Sequence, residues 1–222
     1  MSNRVANIIC IIGVLGLVAY IAWAFPALPD PMPTHWNAAG QPDDYTGKAA
    51  GAAILAAVPL FVMLIFKIIP VVSPHGFRTE SFTGVLNNLM TASVIFSCVI
   101  SVAAIRAALG AEHNMSTIVM VAVGVLFMVI GNFLGKVRKN FFLGIRTPWT
   151  LASDEVWAKT HRLAGWCFVI AGAVMAIGAV AGPRLEWVIV AVVTIALVPV
   201  VYSYFAYRRI EGFGPDPDID ED

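Results

Sequence analysis

Two loops carry most of the side chains able to do chemistry. The first, Leu28–Lys48, holds His35, Trp36 and Asn37, followed by the paired carboxylates Asp43 and Asp44. An imidazole near two carboxylates suits a cation or ligand site, yet its spacing fits no metal motif. Glu112 and His113, in another loop on the same side, are candidates to join it in space. The plainer reading has His35 and Asn37 satisfying loop backbone groups while both aspartates are solvated. The second loop, Lys136–Arg162, brings Asn140, Arg146, Thr147, Trp149, Thr150, Trp157 and His161 into one stretch. An enzyme reading would use His161 and Glu155 as acid and base. They lie six residues apart, off a common helix face, with no nucleophile beside them. There is no G-x-S-x-G, H-E-x-x-H or P-loop, so the reading is non-enzymatic, with no cofactor and no metal.

The elements that position these loops follow from composition. Of 222 residues, 59% are apolar and 13% charged, against about 25% charged in a soluble domain. Six runs lack Asp, Glu, Lys and Arg: Val5–Pro29, Ala49–Phe66, Ser81–Ile105, Asn114–Gly135, Leu163–Pro183 and Trp187–Tyr207. A helix needs about 20 residues to cross the hydrocarbon, and Lys67 can snorkel to extend the second run. The first run is too long for a signal-peptide core of ~7–15 residues, although Ala22-Trp23-Ala24 imitates a cleavage site. The runs do not alternate as barrel strands do. The expected fold is therefore all-α: a polytopic six-helix transmembrane bundle. The lipid bilayer is its first partner.

Charge placement orients the bundle. If the N-terminus is cytoplasmic, the inner loops hold 11 of the 14 basic residues, six of them between Lys136 and Arg162. Only Lys48, Arg106 and Arg184 fall outside. The positive-inside rule then puts both termini in the cytoplasm. Basic and acidic residues balance at 14 each, so no bulk field attracts nucleic acid directly. No Asp, Glu, His or Arg sits near the middle of a run, which argues against an ion-coupled carrier. Cys10, Cys98 and Cys167 lie in spans without a C-x-x-C pair, as small apolar residues.

Local signals refine the loops. Pro29, Pro31 and Pro33 force an extended entry to the outer loop. Ser153, with Asp154 and Glu155 behind it, starts a helix that runs through Trp157 and His161 into the fifth span. Phe141, Phe142, Ile145 and Trp149 are expected in the interface, with Arg138 and Arg146 reaching lipid phosphate or Glu155. Gly131-x-x-x-Gly135 and Gly178-x-x-x-Gly182 favour close helix packing within one bundle over a dimer face. The chain divides into residues 1–72 (two spans and the outer loop), 73–210 (a four-span region with the inner loop) and 211–222, an acidic tail expected to be disordered.

Both loops carry a longer pattern. Leu28–Asp43 fits L-P-x-x-[IV]-P-x-H-[WF]-[NG]-x-x-G-x-[PA]-[DN], apart from Met32 at the Ile/Val position. Asn140–Arg162 fits N-[YF]-x-[IL]-G-[IV]-R-[TL]-P-W-T-L-x-[SN]-x-x-[VT]-W-x-x-T-H-[RK] without a gap. In this order on six spans, the sequence resembles the SdpI family of bacterial membrane proteins. The resemblance implies a multi-pass protein of the bacterial cytoplasmic (inner) membrane. It implies immunity to a secreted peptide toxin, with signal transduction by holding a cytoplasmic transcriptional repressor at the membrane. It points to His35, Trp36, Asn37 and Gly40 outside, and to the Asn140–His161 signature inside. Gly144 and Pro148 read there as backbone-shape residues. Two alternatives stay open. A transporter or lipid-handling protein predicts a polar cavity reaching Asn87, Asn88 or Asn132. A metal-dependent membrane enzyme predicts a bound transition metal.

Overall fold

Three of the long helices start on small polar caps. Ser2 accepts the Val5 N–H and opens α1 (Asn3–Ala24), while Asn114 accepts the Thr117 N–H at 3.1 Å and opens α4 (Met115–Leu134). Ser153 accepts the Val156 N–H at 3.3 Å, with Asp154 and Glu155 in the first turn of α6 (Asp154–Ala181). Helices α2 (Lys48–Val72), α3 (Thr83–Ala108) and α7 (Leu185–Ile210) complete the long set. A five-residue helix α5 (Pro148–Ala152) precedes α6. The computed structural model describes residues 1–74, 80–182 and 184–214. Arg78, one of the inner cations, and the acidic tail from residue 215 lie outside the described residues.

Six of these helices are long and apolar enough to cross a membrane, as the charge-free runs require. Two extend beyond their runs: α2 continues past Lys67 to Val72, and α6 begins nine residues before Leu163. The fold is a polytopic α-helical bundle with one addition that the sequence reading lacked. Outside the spans, β1 (Met32–Trp36) and β2 (Pro42–Thr46) form an antiparallel hairpin. Pro33 and Pro42 obscure the strands in sequence, because proline cannot donate to a ladder. An isolated two-stranded ribbon is all edge, so it tolerates them.

The bundle has two ends of different build. At the outer end, Leu17, Ile21, Leu28, Met32, Ala52 and Ile105 pack together beneath the hairpin. Met32 is fully buried there, and a Cβ on Gly51 would lie 2.8 Å from its sulfur. At the inner end, Ile69, Phe82, Leu86, Leu134, Val137 and Trp157 form the corresponding cluster. The N-terminus is tied to this inner end, where Asn87 Nδ2 donates to the Met1 carbonyl at 3.2 Å.

The closest crossing joins α4 to α6 through glycines seven residues apart. A Cβ on Gly124 would meet the Gly172 carbonyl oxygen at 2.5 Å, and one on Gly131 would meet that of Gly165 at 2.5 Å. Backbones can approach this closely only without side chains, and in lipid such packing replaces the missing hydrophobic drive. Gly131 and Gly135 thus face α6 inside the bundle, as expected, and Gly178 lies against the Trp187 ring of α7. Gly182 meets nothing within 4 Å and serves the α6 terminus at φ +145°.

Candidate functional site

The inner loop folds as a polar knot. Asn140, fully buried, accepts the Phe142 and Leu143 N–H groups at 2.8 and 2.7 Å and donates to the Arg138 and Leu143 carbonyls. One side chain therefore closes the turn in place of a ladder. Gly144 follows at φ +106°. A Cβ there would lie far inside van der Waals contact with His161 Nε2, so both backbone angle and space require glycine.

His161 is the centre of the knot. Its Nε2 accepts the Ile145 N–H at 2.9 Å, and its Nδ1 donates to the Trp157 carbonyl at 2.8 Å. The two bonds fix the Nδ1–H tautomer. The ring stacks on Trp157 with centroids 4.0 Å apart and 20° between planes. The shared helix face expected from the spacing of four is thus realised. Trp157 Nε1 donates to the Val137 carbonyl at 2.8 Å, joining α6 to the end of α4. Thr147 and Thr150 cap α5 reciprocally: the Thr147 N–H donates to Thr150 Oγ1 at 2.9 Å and the Thr150 N–H to Thr147 Oγ1 at 3.2 Å. Thr147 Oγ1 also meets Ser203 Oγ of α7 at 3.1 Å, and Trp149 sits edge-on to Tyr204 at 5.2 Å. Sequence reading missed Ser203 and Tyr204, which lie more than 50 residues along on another helix.

These contacts sort the expected inner residues. Asn140, Thr147, Thr150, Trp157 and His161 are buried, and their polar atoms are engaged within the fold. Arg146 is exposed and Trp149 half-buried. Three local expectations are corrected. Phe142 and Ile145 turn inward onto the inner-end cluster instead of lying in the interface, because their backbone N–H groups are held by Asn140 and His161. Arg146 Nη1 donates to the Phe141 carbonyl and does not pair with Glu155. Glu155 pairs instead with Lys159 at 2.7 Å, one turn along α6, and Asp154 pairs with Lys139 at 2.7 Å. With both nitrogens of His161 engaged and Glu155 turned to Lys159, these two groups form no acid–base pair.

The outer hairpin uses its polar residues differently. His35 Nδ1 meets Asp43 Oδ1 at 2.5 Å across the two strands, and both side chains are exposed. Asp44 does not join them; its Oδ1 accepts the Tyr45 N–H at 2.8 Å. Asn37 Oδ1 accepts the Ala39 and Gln41 N–H groups at 2.9 and 3.1 Å, which makes it the organiser of the hairpin turn. Gly40 completes that turn at φ +79°, pressed against the Asn114 side chain. Ser116 Oγ donates to the Asn37 and Ala38 carbonyls, so the tip is pinned to the start of α4. His113 Nε2 lies 3.2 Å from the Ala103 carbonyl and does not meet His35. Among the described residues, no three His, Cys, Asp or Glu side chains gather as a metal site would require.

A crevice of about 400 Å³ opens beneath this hairpin. Thr34–Ala38 roof it, while Ile100, Val119, Met120 and Val188 supply an apolar floor between α3, α4 and α7. His35 and Arg184 stand at its polar rim. Half-buried Trp36 faces the same space. An apolar floor under a few fixed polar groups can hold an amphipathic ligand in one orientation.

Comparison with known proteins agrees with this layout. A family model described as the SdpI/YfhL protein family matches residues 136–203, which contain the inner knot and its α7 partner Ser203. A second, described as a domain of unknown function, matches residues 11–59 and contains the hairpin. The immunity protein SdpI of Bacillus subtilis (strain 168) is 26% identical over 187 residues, covering 83% of this chain and 87% of the relative. No solved structure matches. With six helices long and apolar enough to cross a membrane and both loop patterns in the same order, the chain is a multi-pass bacterial membrane protein similar to the SdpI/YfhL family over residues 136–203.

Proposed function

We propose that this protein is a non-catalytic immunity protein and receptor of the bacterial inner membrane. In this reading the hairpin and its crevice receive a secreted peptide toxin from outside, and the inner knot presents Arg146 and Trp149 to a cytoplasmic repressor. The observation that carries the class is the match to an immunity protein over 83% of this chain. The geometry supports a division of labour. His35, Trp36 and Asp43 are within reach of an arriving peptide, and Asp44 adds charge beside them. Asn37 shapes the tip that they share. Inside, Asn140, Thr147, Thr150, Trp157 and His161 hold the two reachable residues in place. A peptide ligand is supported by the crevice, whose apolar floor and charged rim suit an amphipathic segment.

The transporter alternative rests on one groove alone, of about 270 Å³ at Asn132. Asn87 is engaged with the Met1 carbonyl, and Asn132 lines a groove at the inner end beside Lys136 and Arg162.

Growth of a deletion strain against a panel of secreted membrane-active peptides tests the class. The strain is expected to become sensitive to at least one peptide and to recover with a plasmid copy of the wild-type gene. Unchanged resistance across the panel overturns the reading.

A further inference from the structure

A second groove, of about 730 Å³, runs between α6 and α7 at the inner end, on the lipid-facing side of the bundle. Its walls repeat one arrangement on two antiparallel helices. On α6, Arg162 lies one turn toward the cytoplasm from Trp166; on α7, Arg209 lies one turn toward the cytoplasm from Phe205. A turn is about 5.4 Å, so each wall places a guanidinium at headgroup depth and an aromatic ring just below it. Trp166 is 65% exposed and Phe205 56%, so both rings look outward rather than into the core. Tyr202 lines the wall deeper along α7, and Lys159 adds a third cation at the mouth, shared with Glu155. Among the described residues, no carboxylate stands within ion-pair distance of Arg162 or Arg209.

From this arrangement we infer that the α6–α7 groove is a binding site for an anionic phospholipid of the inner leaflet. The phosphate sits between Arg162 and Arg209, whose planar donor forks match a phosphodiester. The acyl chain leaves along Trp166 and Phe205 into the bilayer. Charge complementarity selects the headgroup, and the depth order of cation then ring selects an amphiphile already in the membrane over a soluble anion. The site is separate from the outer crevice, so it stands or falls independently of the immunity reading.

The test uses full-length protein purified in detergent and titrated with phosphatidylglycerol, phosphatidylcholine or inorganic phosphate while thermal unfolding is followed. Phosphatidylglycerol is expected to raise the unfolding temperature; the other two are not. R162Q/R209Q should weaken the phosphatidylglycerol effect about twenty-five-fold in concentration, at roughly fivefold per basic residue. R4Q/K67Q, which removes the same charge elsewhere on the inner face, should leave it unchanged. Equal responses to both lipids, a response reproduced by phosphate, or full retention in R162Q/R209Q overturns the site. If that variant does not fold, the wild type decides. Brominated phosphatidylglycerol should quench tryptophan fluorescence more than brominated phosphatidylcholine, and the excess should vanish in Trp166→Phe. Equal quenching by the two lipids overturns the site as well.

Discussion

The outer hairpin and the inner knot are both short polar loops on the same apolar bundle, yet they spend their polar atoms in opposite ways. The knot turns Asn140, Thr147, Thr150 and His161 inward and satisfies its own backbone with them. The hairpin leaves its His35–Asp43 pair exposed and relies on main-chain pairing plus Asn37 to hold shape. A buried polar group is costly to orphan, about 1–3 kcal/mol, whereas an exposed ion pair contributes about 0–1 kcal/mol. A long, specific sequence pattern therefore means different things at the two ends. Inside it encodes a shape. Outside, its charged members are available for contact.

Substitutions separate the two cases, and the largest effect belongs at Gly144. Gly144→Ala places a methyl group on His161 Nε2 at a left-handed backbone angle. It should destabilise the protein by roughly 2–4 kcal/mol, read as a lowered unfolding temperature in detergent. Because His161 is the colliding group, His161→Ala should relieve part of that cost. A double-mutant cycle is expected to show coupling of about 0.5–3 kcal/mol, and strict additivity would break the account of the knot.

Asn140→Ala comes next. It strands the Phe142 and Leu143 N–H groups, at about 1–3 kcal/mol, and should speed hydrogen exchange at those two amides before the helices respond. Trp149→Ala loses its edge contact with Tyr204 and should cost about 1 kcal/mol while leaving insertion intact. The smallest stability effect is expected at the hairpin. His35→Ala and Asp43→Asn should each stay within about 0.5 kcal/mol of wild type.

The same contrast explains what could be read from the chain alone. The six spans were legible because length and apolarity act over whole segments. The α6 start was legible because Ser153, Asp154 and Glu155 are a local cap. The knot's residues were visible as a pattern, but their inward direction was not. That direction depends on Ser203 and Tyr204 of α7 and on the carbonyls of Val137 and Trp157, none of which spacing reveals. The hairpin was hidden because Pro33 and Pro42 weaken a strand signal that only cross-strand pairing restores. Gly124, Gly165 and Gly172 escaped notice because the crossing of α4 and α6 uses a spacing of seven, outside the G-x-x-x-G rule.

The central claim is that the hairpin meets the toxin while the knot supplies shape. It is tested most directly by measuring protection of the deletion strain, complemented with His35→Ala/Asp43→Asn, against a peptide that kills the uncomplemented strain. The account predicts lost protection at wild-type abundance and unfolding temperature. Full protection by this variant would contradict it.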